Sequence, residues 1–179
     1  MTRDLEHRAA SLEVRAKGRR LEGYAAMFGV EARIGPITES IRAGAFSPSL
    51  VDKRDVLALV DHSAAALLAR TRSGSLRLSE DSRGLAFDLD IPDTSLGRDI
   101  LALAERGDLG GMSFGFKPNA GGETWQGKSR TLTSIDLREI SVVQAFPAYA
   151  ETSIVARSAP RSARLAVARR LIEIAEHRR

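Results

Sequence analysis

The sequence contains no cysteine, which removes disulfides, cysteine nucleophiles and thiolate metal sites together. It also lacks any apolar run near the ~18 residues that a membrane-spanning helix needs. The opening stretch MTRDLEHRAASLEVRAKGRR has no apolar core of a secretory signal, so neither a membrane span nor export by a signal peptide is expected. Histidines number 3, so imidazole chemistry has few places to sit. No grouping of histidines and carboxylates has metal-ligand spacing, and no cofactor motif stands out, so no metal and no cofactor are expected. A net positive charge is missing from most of the chain as well. The net charge of +4 is carried by residues 161–179, with six arginines against two glutamates, which leaves residues 1–160 neutral overall. The body therefore lacks the basic excess of a nucleic-acid binder, and any such contact would fall weakly to the tail.

What is present fits one well-cored domain. The 179 residues are 43% hydrophobic and 28% charged, ordinary values for a globular chain. LEGYAAMF (21–28) and ITESIRAGAF (37–46) read as strands on either side of a turn at Gly35-Pro36, and FSPSLVD as a short helix. DVLALVD (55–61) reads as a buried strand. SGSLRLSED and RGLAFDLDIP alternate about a DSRG turn and predict a β-hairpin. The clearest helix is TSLGRDILALAERGD, with Leu96, Ile100 and Leu103 on one stripe, Asp93 or Thr94 as cap and Gly107 at its end. GMSFGFK follows as a strand, NAGGETWQGKSR as a mobile loop or flap carrying Trp125, and SRTLTSIDLREISVV as strand again. From Ser158 the composition shifts to a basic amphipathic helix. The expectation is an α+β, mostly β chain. It divides into a polar segment (1–20), a body (21–157) and a basic helical tail (158–179).

The most informative stretch is GDLGGMSFGFKP, residues 107–118. Gly111-Met112-Ser113-Phe114-Gly115 matches the nucleophile elbow of α/β-hydrolases, but that fold needs an acid and then a histidine after the serine. Only His177 follows Ser113, two residues from the last one in the sequence, and the elbow reading fails. A serine still needs a base to become a nucleophile. His7 and His177 fall in polar ends, which leaves His62, where DVLALVDHS leaves its strand, as the candidate within the body. A base in turn needs an orienting group. Asp61 adjoins His62 and would point away from it. Glu139, in a segment where Leu137, Glu139 and Ser141 share one face of a strand, is better placed, and Asp136 is the substitute. A serine in an apolar strand and a histidine at a strand end are each more often structural than catalytic. Composition alone therefore carries no enzyme assignment.

Several segments occur in fixed order: IRAGAFSPSL, VLALVDHSAAALLARTRSGSLRLSEDSRGLAFDLDIPDT, RGDLGGMSFGFKP, the lone Trp125 and LREISVVQAFPAYAETSI. Over residues 20–157 the chain resembles the capsid-maturation (prohead) serine proteases of tailed phages and phage-derived gene transfer agents. The resemblance implies His62 as general base, Ser113 as nucleophile and Glu139 as third member. It also implies an assemblin-like β-barrel core dressed with helices, similar to the herpesvirus enzymes. Those use a second histidine as third member, and the body here offers none. Oxyanion donors would be backbone amides near Gln144 and Ala145. The implied substrates are the major capsid protein and scaffold, cut within an assembling procapsid in the bacterial cytoplasm, with self-cleavage in the family's repertoire and homodimerisation in that of the assemblin relatives, which leaves the oligomeric state open. A strand-borne nucleophile suits an extended substrate along a sheet edge. The competing expectation is a non-enzymatic scaffold-like or capsid-binding protein on the same body, with Ser113 and His62 structural.

Overall fold

The computed structural model describes residues 5–10 and 14–145. Its elements, in chain order, begin with β1 (Glu6–Ala10), β2 (Val14–Lys17), β3 (Arg20–Met27), β4 (Ala32–Ile34), β5 (Ile37–Ile41) and α1 (Ser47–Val51). There follow β6 (Leu57–Val60), β7 (Ser63–Arg70), β8 (Leu76–Glu80), β9 (Gly84–Asp90) and α2 (Ser95–Arg106). The last are β10 (Gly111–Pro118), β11 (Glu123–Gln126), β12 (Ser129–Leu132) and β13 (Ile135–Val143). The chain is mostly β with few helices, as its alternating segments predict. The strands form three sheets, ordered β1-β10-β13-β6-β7, β11-β12-β5-β4 and β2-β3-β9-β8. Among the described residues no closed barrel is found, so the barrel that the resemblance implies is not confirmed. The basic tail lies outside the described residues.

Local chemistry explains the elements that the sequence makes clear. Thr94 Oγ1 accepts the Gly97 N–H at 3.1 Å to cap α2, and Gly107 ends the helix at φ 73° in the left-handed region. The β8–β9 hairpin pairs Leu76–Glu80 with Leu85–Leu89 as the DSRG turn predicts.

Two segments differ from expectation. The stretch expected as a flap is a hairpin, in which β11 pairs with β12 across a turn containing Gly127 at φ 60°, while Trp125 is exposed. Residues 1–20, read from sequence as a polar segment, supply β1 to the first sheet and β2 to the third. The reason is partnership across the fold, which polarity does not reveal. β1 pairs with β10, and its Glu6 and Arg8 enter an ion network with Glu39, Glu123 and Arg130.

The core lies on one face of β10 and β13. Met112, Phe114 and Phe116 pack there with Ile140, Val142 and Leu137, and Phe46 meets Phe114 edge to face at 5.5 Å. Leu137 joins this face because a β-bulge interrupts the ladder, so that Phe116 opposes Leu137 while Gly115 opposes Glu139. The extra residue, Arg138, resets the alternation. Leu137 and Glu139 therefore face opposite sides, which corrects the shared face expected from simple alternation.

Candidate active site

The other face of the same strands is polar. Ser113 stands opposite Ser141 and Gly115 opposite Glu139 in the β10–β13 ladder. On the far side of β10, Ala9 opposes Ser113 and His7 opposes Gly115. Cross-strand partners share a face, so Ser113, Glu139, Ser141 and His7 all project to one side of the sheet.

His62 arrives from the next strand along. β6 runs parallel to β13, bringing Val60 beside Val142, and the chain then reverses through Asp61 and His62 into β7, with Val60 opposite Ser63. Both turn residues have positive φ, 48° and 60°, a conformation that glycine and asparagine adopt far more readily. Non-glycine residues held in this region cluster at functional sites. The strand end expected from sequence is thus a tight hairpin turn that holds His62 over the polar face. Asp61 stays exposed, and its Oδ1 accepts the Gln144 N–H at 3.1 Å, fastening the turn to the end of β13.

Glu139 is 4% exposed, and its Oε1 lies 2.6 Å from His62 Nδ1. An ionised carboxylate can only accept, so Nδ1 carries the hydrogen and donates it. The other carboxylate oxygen accepts from Ser141 Oγ at 2.5 Å, and Ser141 Oγ also accepts the His62 backbone N–H at 3.2 Å. Ser141 therefore ties acid and imidazole together. Ser113, one strand over, is fully buried and donates its hydroxyl to the Arg8 carbonyl at 2.8 Å. Among the described residues no buried side-chain nitrogen or oxygen lacks a partner.

A family model described as the caudovirus prohead serine protease matches residues 4–164. The chain belongs to that family. Comparison with curated proteins and with solved structures gives no match. The prohead protease assignment agrees with the resemblance carried by the ordered motifs, and it extends to residues that the motifs do not reach, including β1.

The structure brings together His62, Glu139 and the strand of Ser113, and it separates the substitute acid. Asp136 accepts from Arg54 Nη1 at 3.0 Å and pairs with Arg138. Gln144 and Ala145 are exposed at the close of β13. Sequence reasoning missed His7, whose Nε2 lies 3.5 Å from Glu139 Oε1 and whose ring centroid lies 4.2 Å from that of His62. No local signal marks it, because its place depends on the pairing of β1 with β10. Ser141 was legible as a neighbour of Glu139 on its strand face, and its double hydrogen bond was not.

Beneath β1, Arg130 is 6% exposed and bonds Glu6 at 2.7 Å and Glu39 at 2.9 Å, while Arg8 Nε bonds Glu39 at 2.6 Å. Burial pushes the Glu6 carboxyl up, but hydrogen bonds from Arg130 and Arg8 outweigh it and hold the group below its ordinary value. For Arg130, burial works against the charge, and the surrounding carboxylates outweigh it and raise the guanidinium further. No helix among the described residues is long and apolar enough to cross a membrane.

Proposed function

We propose that this chain is a serine endopeptidase that cuts capsid or scaffold protein within a maturing procapsid, with Ser113 as nucleophile, His62 as general base and Glu139 as orienting acid. The observation that carries the reading is the 2.6 Å contact between His62 Nδ1 and Glu139 Oε1. With the hydrogen on Nδ1, the lone pair resides on Nε2, the form a general base needs. Ser113 Oγ attacks the scissile carbonyl carbon as its proton passes to His62. The tetrahedral intermediate then collapses, and His62 returns that proton to the departing amine. Water hydrolyses the acyl-enzyme by the same route in reverse. Glu139 steadies the imidazolium in both halves. The amides of Gln144 and Ala145 enter this proposal as oxyanion donors; the Gln144 N–H already faces a carboxylate oxygen, that of Asp61.

The β10 strand is flanked by β1 and β13, so the open edge expected beside the nucleophile is occupied. A substrate carbonyl reaches the buried Ser113 only when β1 yields locally. The same burial, with the hydroxyl held by Arg8, favours a second reading in which the chain is a non-enzymatic capsid-binding protein.

One experiment separates the two. The full chain and the Ser113→Ala variant are each co-expressed with the major capsid protein, and all chains are weighed intact by mass spectrometry. Cutting by the wild type alone is the expected result; cutting by both removes Ser113 from the mechanism, and cutting by neither favours the binding protein. Self-cleavage and tail processing appear in the same spectra.

A further inference from the structure

The polar face carries a group that the peptidase reading does not use in full. His7, His62 and Glu139 each present one ligand atom, and these atoms all lie within 4.8 Å of one another. We infer that the three side chains bind a divalent transition metal of the zinc class, and that the bound metal switches the peptidase off. The second half rests on the proposed function; the first does not.

Two imidazoles and one carboxylate suit zinc, with copper and nickel as chemical cousins, and they suit magnesium or calcium poorly. Ligand atoms about a four-coordinate zinc, each ~2.0–2.1 Å from the metal, stand roughly 3.3 Å apart. His7 Nε2 and Glu139 Oε1 are already close to that spacing, at 3.5 Å. The His62–Glu139 contact of 2.6 Å has to open by less than about 1 Å to reach it.

An independent observation points to room reserved for these groups. A Cβ at Gly115 would stand 2.5 Å from Glu139 Oε1, 3.0 Å from Glu139 Cγ and 3.0 Å from His7 Cδ2. Only glycine leaves the space that the carboxylate and the second imidazole share. The ligands are also held in place, as metal ligands require. Ser141 fixes one oxygen of Glu139. The pairing of β1 with β10, with Glu6 and Arg8 locked into the ion network, fixes the backbone of His7. The side chain of His7 is 28% exposed against 13% for His62 and 6% for Glu139, so an ion arrives past His7.

The consequence for catalysis follows from the tautomer. Metal ligation uses the Nδ1 lone pair of His62, which places the ring hydrogen on Nε2. No lone pair then remains there to take the serine proton, and cleavage stops until the metal leaves.

The test uses the full-length chain stripped of metal with a chelator. Zinc chloride is titrated calorimetrically into Ser113→Ala, and cobalt(II) absorption reports the coordination geometry. The expected result is one equivalent bound, weakened in His7→Gln by at least the roughly 10–100-fold that loss of an outer-shell partner alone costs, with circular dichroism showing both chains folded. His177 is the remaining histidine of the three, so loss on changing His7 assigns the metal to the trio. Absence of binding, or undiminished binding in folded His7→Gln, overturns the site. In parallel, zinc is added to the active chain cutting its capsid substrate. Inhibition that follows zinc occupancy and reverses on chelation upholds the switch, and unchanged cutting at saturating zinc overturns it. A chain that binds zinc yet never cuts upholds the metal site while sinking the peptidase reading, and the switch with it.

Discussion

Strands β10 and β13 present two faces made from alternate residues of the same few turns of chain. One carries Met112, Phe114, Phe116, Ile140 and Val142 into the core; the other carries Ser113, Gly115, Glu139 and Ser141 toward His7 and His62. The apolar face is held by volume, so it tolerates exchange of one hydrocarbon for another of like size. The polar face is held by matched donors and acceptors, where exchange of a single atom changes the chemistry. Both faces are buried, and the difference between them lies in what a substitution leaves behind: a cavity on one side, an unpaired dipole or a misplaced proton on the other.

The sharpest way to set the faces apart is Glu139→Gln. The substitution keeps shape and volume, but the amide can donate to Nδ1 and hold the imidazole hydrogen on Nε2. Peptide cleavage should fall by roughly 10⁴-fold with little change in urea midpoint. A rate within about tenfold of wild type would remove Glu139 from the orienting role. Next comes Phe116→Ala on the opposite face. Phe116 is fully buried between Phe114 and the rest of the core, and its truncation should cost about 3–5 kcal/mol in equilibrium unfolding. The surviving folded fraction should cleave at an ordinary rate.

Ser141→Ala is intermediate, because it touches only the dipoles of the polar face. It removes one partner from Glu139 Oε2 and one from the His62 N–H, for about 1–3 kcal/mol of stability, read from the same unfolding curves. A cost near zero would mean that water takes over both bonds. The smallest effect is expected from acid. Glu6 has a folded value held below its ordinary 4.5, so its contribution is complete above the ordinary value and is lost as pH falls through the folded one. Protection of the β1 amides, measured against the intrinsic exchange rate at each pH, should therefore fall below about pH 4.5, and Glu6→Gln should erase that step. If β1 is equally unprotected at neutral pH, the ion network does not hold it.

Much of this was legible from residues in order. The α2 stripe and its caps, the β8–β9 hairpin and the alternation of GMSFGFK are local patterns, because each depends on neighbours three or four positions away or fewer. His62 could be singled out by elimination, since the body offers few imidazoles, whereas Glu139 was preferred to Asp136 on a strand alternation that the bulge overturns and on the family resemblance. The hairpin turn at Asp61-His62 escaped because it carries no glycine or asparagine to mark it, although Asp and His enter the positive-φ region more readily than most side chains. The bulge at Arg138 escaped because it is defined by a partner strand.

The sequence by itself determined many of the body's strands, the caps of α2 and the residue types available for chemistry, because periodicity and side-chain inventory are properties of short stretches. Only the tertiary structure decided which strands became neighbours. That choice placed His7 beside His62, laid β1 over Ser113 and gave Glu139 its partners, because contacts between distant segments are fixed by packing and hydrogen-bond matching across the whole fold rather than by anything written next to them in the chain.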